Sequence, residues 1–434
     1  MDWRETYKSR LTTADEAVKV VKSGDFVIPG HAASESELLV NALAKRYLEL
    51  ENVTIIQGVA LGSSPYCKPE MAGHFILKSM FVGANTRKSI WENRGTFFPL
   101  MFHEFPRAFR EGYLGSDVFI TMVSPPDEHG YCSLGMSVDH SKELVKCAKT
   151  VIAEVNPNVP RTYGDTFVHV SDLDYIVENH GPILELTRFA TMDEVTQAIG
   201  RNVAKLIKNG DTLQMGAGTI PDAILYYLKD KRDLGIHTEM ISDGLIDLIE
   251  SGIVNGSKKT LNPGKIILTF AQGSKKVYEY INLNPMFQFH PVDYVNNPCV
   301  IAQNDNMVAI NSALEIDLSG QVCAEALGSK QYSGIGGQLD FIRGAAASKN
   351  GRPIIVLQST AKNATISRIS CQLKPGTPVT TTRNDVRWVV TEYGAVNLFC
   401  KSERERAAAL ISIAHPNFRA ELKGQYAEIY GRVL

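Results

Sequence analysis

The sequence predicts an α/β protein built as two related domains with mostly parallel sheets, and three observations carry that expectation. An internal repeat recurs at one long spacing, short apolar strands alternate with amphipathic helices, and glycine-containing turns join strand to helix in both copies. At 434 residues the chain exceeds one ordinary core, so more than one domain is expected.

The repeat appears when the sequence is slid on itself by 186 residues without a gap. Lys19–Ser34, KVVKSGDFVIPGHAAS, then meets Lys205–Ile220, KLIKNGDTLQMGAGTI. Lys19, Lys22, Gly24, Asp25, Gly30, Leu39, Leu48 and Gly58 fall on Lys205, Lys208, Gly210, Asp211, Gly216, Leu225, Leu234 and Gly244. Solenoid repeats recur every 20–50 residues or so, and one spacing this long points to two domains.

Each copy reads in the same order. A helix opens at a capping box, Thr13-x-x-Glu16 or Thr191-x-x-Glu194, whose hydroxyl and carboxylate satisfy free amides. It closes at Gly24 or Gly210. A strand follows, FVIPG or TLQMG, then a small-residue turn and a helix beginning near Ser34 or Pro221. The next strand is NVTIIQG in the first copy and IHTEMISDG in the second. DVFITMV, TVIAEV, KIILTFA, NMVAINS, RPIIVLQ and RWVVTEY supply further strands. The expected domains are 1–185 and 186–434, joined around GPILEL near 182–195, with ligands beyond the carboxyl ends of the strands.

Composition excludes several classes. The apolar share of 44%, charged share of 21% and net charge of -2 describe a soluble fold with no basic excess for nucleic acid or anionic membrane. MDWRETYKSR has no apolar core of a secretory signal, and no apolar run approaches the 20 or so residues of a membrane span. The seven cysteines are scattered and form no C-x-x-C pair, which fits a reducing cytosol and neither a zinc site nor a disulfide framework. A cytoplasmic protein without metal is expected.

At the 186-residue spacing Glu239 falls opposite Val53, so the expectation is that the second copy puts a carboxylate inside a strand that should be apolar. A buried acid costs several kcal/mol unless it is paired or used. The turn Gly216-Ala217-Gly218-Thr219-Ile220-Pro221 lies between strand and helix, where backbone amides can approach an anion or a developing oxyanion. Ser333-Gly334-Ile335-Gly336-Gly337 is a second glycine loop, and Ser359-Thr360-Ala361-Lys362 offers a cation after RPIIVLQ.

VSPPDEHGYCSLG, YGDTFVHVSDLDY, GAGTIPDAI, GIHTEMISDG, SGIGGQLDFIRGA and TTTRNDVRWVVTEYGAVNL, in that order, closely resemble the acetyl-CoA hydrolase/transferase family, above all its 4-hydroxybutyrate CoA-transferases. The resemblance implies two tandem α/β domains of the CoA-transferase type, usually in a homo-oligomer and often a dimer. It implies coenzyme A and a small carboxylate as substrates. It makes Glu239 the nucleophile that becomes a glutamyl-CoA thioester. Ala217 and Gly337 become the oxyanion-hole amides, and Gly216, Ala217, Gly218, Thr219, Ile220, Ser333, Gly337 and Lys362 the CoA-contacting positions. The chemistry suits a carboxylate, because serine or cysteine would carry off the acyl group in place of CoA.

His31, in the first-copy turn matching Gly216–Gly218, and Tyr66 are candidates for the acyl pocket; an ordinary loop histidine and a packed surface tyrosine are the alternatives. His237, two residues before Glu239, shares its face in a regular strand and is a candidate to tune that carboxylate. His129 is read as ordering its own turn with Asp127. No H-E-x-x-H and no phosphate-binding glycine motif is present. Hydrolysis of short acyl-CoA by the same glutamate, or a non-catalytic acyl-CoA sensor, are the competing functions.

Overall fold

The computed structural model describes residues 2–186, 192–431 and 433. The first sheet has seven strands: β1 (Phe26–Pro29), β2 (Val53–Gln57), β3 (Phe75–Ser79), β4 (Gly95–Phe97), β5 (Val118–Val123), β6 (Thr150–Val155) and β7 (Tyr175–Glu178). Their order is β7-β6-β5-β1-β2-β3-β4, and every pairing is parallel. These strands are near-continuous apolar runs because helices cover a parallel sheet. The helix α1 (Glu37–Lys45) buries Leu39, Val40 and Leu43 with Val27, Ile55, Leu77, Val118 and Ile120. Its N-cap, Ser36, accepts the amide of Leu39 at 3.1 Å and donates to the buried Glu154.

The second sheet contains β8 (Thr212–Met215), β9 (Gly235–Ile236), β10 (Met307–Ser312), β11 (Arg352–Val356), β12 (Trp388–Thr391) and β13 (Gly394–Asn397). Its order is β9-β8-β10-β11-β12-β13, parallel except for the β12–β13 pair. Thus β2-β1-β5-β6-β7 and β9-β8-β10-β11-β12 repeat one topology. In each, strand order reverses beside the first strand of the copy, between β1 and β5 or between β8 and β10, where open α/β sheets bind ligands. The second core gathers Ile316, Ile342, Ile355, Val389 and Leu410.

The compact units interleave where the sequence suggested a single cut between 185 and 186. One unit comprises Met1–Thr187, Glu239–Asp243 and Ile267–Val295; the other comprises Arg188–Thr238, Gly244–Ile266 and Asn296–Leu434. Glu239, expected in the C-terminal domain, therefore packs with the N-terminal unit. Ile241 and Met240 pair in parallel with Ala271 and Phe270, and that short strand is bridged to Ser137 of the first unit.

Of the two expected capping boxes, Thr13 accepts the amide of Glu16 at 3.3 Å. Thr191 lies outside the described residues. The helix Glu194–Ala204 is capped by Asp193, whose carboxylate accepts the amide of Thr196 at 2.8 Å.

Candidate active site

The repeat is visible atom by atom, and it corrects the alignment made without gaps. The amides of Lys22 and Lys208 donate to the side chains of Asp25 and Asp211 at 2.8 and 2.6 Å, which fixes the 186-residue spacing around β1 and β8. At the next strand the spacing changes. Thr54 donates to the carbonyl of Asp25 and Gly235 to that of Asp211, each at 2.9 Å. Gly24 and Gly210 donate to the carbonyls of Glu51 and Arg232 at 2.9 and 3.0 Å. Asn52 and Asp233, one residue further on, share the same left-handed φ of 56°. Thr54 thus matches Gly235, a spacing of 181, because the second copy is five residues shorter between its first two strands.

Glu239 therefore corresponds to Gly58 and not to Val53, whose true counterpart is the buried Leu234. The carboxylate does not interrupt an apolar strand. It stands just past the strand's carboxyl end, and it is half-buried where a buried acid was expected. Its backbone carbonyl accepts the amides of Thr269 and Phe270 at 3.0 and 3.2 Å. On the preceding side, His237 is buried and donates its amide to Leu213 at 3.1 Å, and the Thr238 hydroxyl donates to the Met215 carbonyl at 3.1 Å.

The residues implied to bind CoA lie in the second unit. Gly216 follows β8 and is exposed; Ala217, Gly218, Thr219 and Ile220 are half-buried. Gly218 takes a φ of 139°, which L side chains rarely adopt, and caps the helix α2 (Thr219–Tyr226) without a side-chain acceptor at its N-terminus. Gly337 is buried and caps α3 (Gln338–Ala347), again with no side-chain acceptor, just after the left-handed Gly336. Ser333 is half-buried, its amide held by the Glu325 carbonyl at 2.9 Å. Lys362 is exposed at the tip of the hairpin joining Thr360–Ala361 to Ile366–Ser367.

His31, Tyr66 and Glu239 belong to the first unit. His31 is the second residue after β1, in the turn that follows it, and is fully buried. Its Nδ1 lies 3.0 Å from Oδ2 of Asp139. Its ring packs edge-on against Phe270 at 4.8 Å and tilted against Phe102 at 5.4 Å. A Cβ on Gly58 would stand 2.7 Å from Cδ2 of this imidazole, so the glycine is what admits the ring.

Sequence reasoning missed Asp139. Burial alone would push its carboxyl up, but the facing His140 and His31 outweigh that and hold it well below the usual carboxylate range. Burial conversely lowers His140, whose Nδ1 lies 3.0 Å from Oδ1 of Asp139. The adjacent acid and imidazole in Asp139-His140 were the only signal in the sequence.

Tyr66 is buried, not a surface residue, and stands beside Glu35. Burial raises Glu35 to about 7, although its Oε2 accepts the amide of Gly62 at 3.0 Å. His129 is exposed, and its turn is ordered by Asp127, which accepts the amides of His129 and Tyr131 at 2.9 Å each. A cleft of about 490 Å³ on the first unit, lined by Val159, Ile183, Lys275 and Tyr278 among others, includes none of the expected site residues. Among the described residues, no His/Cys/Asp/Glu group could hold a metal, and no helix is long and apolar enough to cross a membrane.

Comparison with known proteins gives two family matches. Residues 1–185 match the acetyl-CoA hydrolase/transferase N-terminal domain, and residues 273–426 match the C-terminal domain of that family. The chain is 50% identical over 426 residues to the 4-hydroxybutyrate coenzyme A transferase of Clostridium kluyveri, covering 98% of this chain and 99% of the relative. Among solved structures, RipA from Yersinia pestis superposes with a TM-score of 0.93 at 42% identity, covering 99% of this chain and 100% of RipA. A 4-hydroxybutyrate CoA-transferase from Porphyromonas gingivalis superposes with a TM-score of 0.84 at 41% identity, covering 98% and 99%.

Proposed function

Because the chain belongs to the acetyl-CoA hydrolase/transferase family, we propose that it moves CoA between a short-chain acyl-CoA and a carboxylic acid, with Glu239 as the covalent carrier. The observation that supports this most is the placement of Glu239 at the carboxyl end of β9's continuation, where the sister copy has Gly58. Open α/β sheets bind ligands beyond that end of their strands, which is what supports reading a carboxylate there as a reacting group.

In the proposed cycle the Glu239 carboxylate attacks the acyl-CoA carbonyl, and the tetrahedral oxyanion collapses to an acyl-glutamyl anhydride and CoA thiolate. The thiolate attacks the glutamyl carbonyl, forming glutamyl-CoA and releasing the first acid as its carboxylate. A second carboxylate attacks that thioester, regenerating an anhydride and thiolate. Thiolate attack on the new acyl carbonyl then yields the new acyl-CoA and free Glu239. No water or nucleotide is consumed, and the order is ping-pong.

The amides of Ala217 and Gly337 are proposed to receive the oxyanions, each donor being worth ~3–4 kcal/mol in such sites. Gly216–Ile220, Ser333 and Lys362 are assigned to CoA, and His31 and Tyr66 to the acid. The names of the relatives favour 4-hydroxybutyrate, butyrate or acetate as acids. A homodimer in the cytoplasm is the working form.

Incubating the enzyme with acyl-CoA and no acceptor, then with hydroxylamine or borohydride, is expected to modify Glu239. Glu239→Ala is expected to lower CoA exchange by ~1000-fold or more; undiminished exchange in that variant would refute the assignment. Hydrolysis by the same glutamate is the second reading, and the partial exposure of Glu239 is what favours it. CoA release that ignores added acetate would select hydrolysis.

A further inference from the structure

In the second unit the half-buried arginines are held by protein groups, with one exception. Arg352 pairs with the carboxylate of Asp211. Arg406 donates to the carbonyls of Lys401, Ser319 and Arg383 at 3.3, 3.2 and 2.7 Å. Arg419 donates to the Ala414 carbonyl at 2.9 Å, and Arg387 lies 4.5 Å over the Phe399 ring. Arg368 is half-buried too, yet among the described residues its guanidinium has no hydrogen bond or ion pair. Burial pushes its pKa below the ordinary arginine range, against the pull of Glu392 and Tyr332. The oxygens of Glu392 already accept the hydroxyl and amide of Ser359 at 2.5 and 2.9 Å. A desolvated cation left without a bonded anion is costly unless a ligand supplies one.

Arg368 stands at the base of the hairpin whose tip carries Lys362. Its amide donates to the Ser359 carbonyl at 2.8 Å, and its carbonyl accepts the Ile316 amide at 2.9 Å, so the backbone there is pinned on both sides. At the tip Lys362, Asn363 and Ala364 all take left-handed φ, 49°, 54° and 61°, and the Thr365 hydroxyl donates to the Lys362 carbonyl at 2.7 Å. None of the three is glycine, so the tip holds a conformation that side-chain-bearing residues avoid. Tyr332, whose charge acts on Arg368, immediately precedes Ser333, and the chain runs on from there to Gly337. Outward from Gly337 the sequence of groups is therefore Ser333, Arg368 at the hairpin base and Lys362 at its tip. CoA has a matching order: thioester, pantetheine, pyrophosphate, 3′-phosphate.

We propose that Arg368 binds the pyrophosphate of CoA through its planar fork of N–H donors, leaving the exposed Lys362 for the 3′-phosphate. The proposal rests on the CoA-transfer reading and deepens it. Arginine suits the inner, less solvated phosphates because it pairs with them bidentately, and lysine suits the outer one as a mobile point charge. A phosphate on Arg368 supplies the anion that Glu392, committed to Ser359, does not.

The test is exchange onto butyrate from three donors: acetyl-CoA, acetyl-3′-dephospho-CoA and acetyl-pantetheine. Arg368→Gln is expected to lower kcat/KM about tenfold or more for the first two, as the loss of a charged hydrogen bond does. The loss should lie in the donor's KM, with kcat within about twofold. Acetyl-pantetheine carries no phosphate, so its kcat/KM should stay within about twofold of the wild type. Arg368→Lys should recover part of the loss, because it keeps the charge without the fork. If Arg368→Gln does not fold, Arg368→Lys on the same three donors decides. An equal loss with all three donors would mean that Arg368 merely supports the hairpin, and would overturn the proposal. A loss confined to acetyl-CoA would put Arg368 on the 3′-phosphate and overturn the pyrophosphate assignment. A wild type that exchanges CoA from none of the donors defeats CoA transfer itself. A wild type that does exchange, matched by Arg368→Gln on acetyl-CoA, defeats only the role of Arg368.

Discussion

The two sheet ends differ by an exchange of bulk between matching positions. In the first unit the turn after β1 carries His31, and the residue after β2 is Gly58. In the second copy of the repeat, the same two places hold Ala217 and Glu239, the latter packed within the first unit. In the first copy the two positions compete directly for space, because any Cβ at 58 would collide with the His31 ring. One duplicated scaffold has thus placed an imidazole on one strand end and a carboxylate on the other. Neither copy carries both groups at these two positions.

The strands beside these ends differ in a second way. Gly235 stands where the first copy has Thr54, because the stem of Lys259 crosses there; a Cβ on Gly235 would meet Cγ of Lys259 at 2.2 Å. Lys259 is buried and donates to the carbonyls of Ile236 and Lys265 at 2.8 and 2.7 Å, which pins the strand leading to Glu239. Burial lowers its pKa to about 7 from an ordinary 10.5. Between those values the unfolded chain holds a proton that the folded one lacks, so this amine makes stability rise with pH by about 1.4 kcal/mol per unit. Lys259→Met should abolish that slope, read as denaturant midpoints from pH 7 to 10. A wild type whose midpoint runs parallel to the variant's across the window would contradict a buried titrating amine.

The first copy shows the opposite sign over a narrower window. Glu35 lies in the turn after β1 and holds its proton up to about 7, while an unfolded glutamate loses it near 4.5. Its folded pKa is raised, so stability falls as pH climbs from about 4.5 to 7, again by about 1.4 kcal/mol per unit at most. Glu35→Gln keeps an oxygen to accept the Gly62 amide and removes the titration. Thermal midpoints should then match the wild type at pH 5 and exceed it at pH 8. Equal gaps at both pH values would leave the two copies without the contrast drawn here.

Local chemistry was legible in the sequence, and chemistry assembled over distance was not. The Asp25 and Asp211 turns, the Thr13 cap and the two glycine loops depend on residues a few positions apart, and their signals survive in one dimension. The position of Glu239 was found by its neighbours but explained by the wrong partner. A comparison without gaps cannot register a copy shortened by five residues, and Leu234, not Glu239, fills the core position of Val53. The Asp139–His31 pair spans 108 residues, so nothing local announces it. The passage of Glu239–Asp243 into the first unit is likewise a pairing with Phe270–Ala271, decided by strand register and hidden from periodicity.

The smallest change that sharpens the comparison is one methyl group at Gly58. Gly58→Ala makes the first copy less unlike the second at this position while leaving Asp139, Ser137 and Ser141 untouched. The new Cβ would sit 2.7 Å from Cδ2 and 3.2 Å from Nε2 of His31, distances a real side chain does not tolerate without movement. The ring is caged by Phe270 and Phe102 and tethered to Asp139, so it can turn only by loosening its Nδ1 contact. The expected result is a rise in the acid's KM of about tenfold, equivalent to ~1.4 kcal/mol, with donor KM unchanged. In a His31→Asn background the same methyl should cost much less, because the clashing ring is gone. If Gly58→Ala were equally harmful with and without His31, the glycine would serve the β2 turn alone, and the exchange of bulk between the two copies would carry no functional meaning.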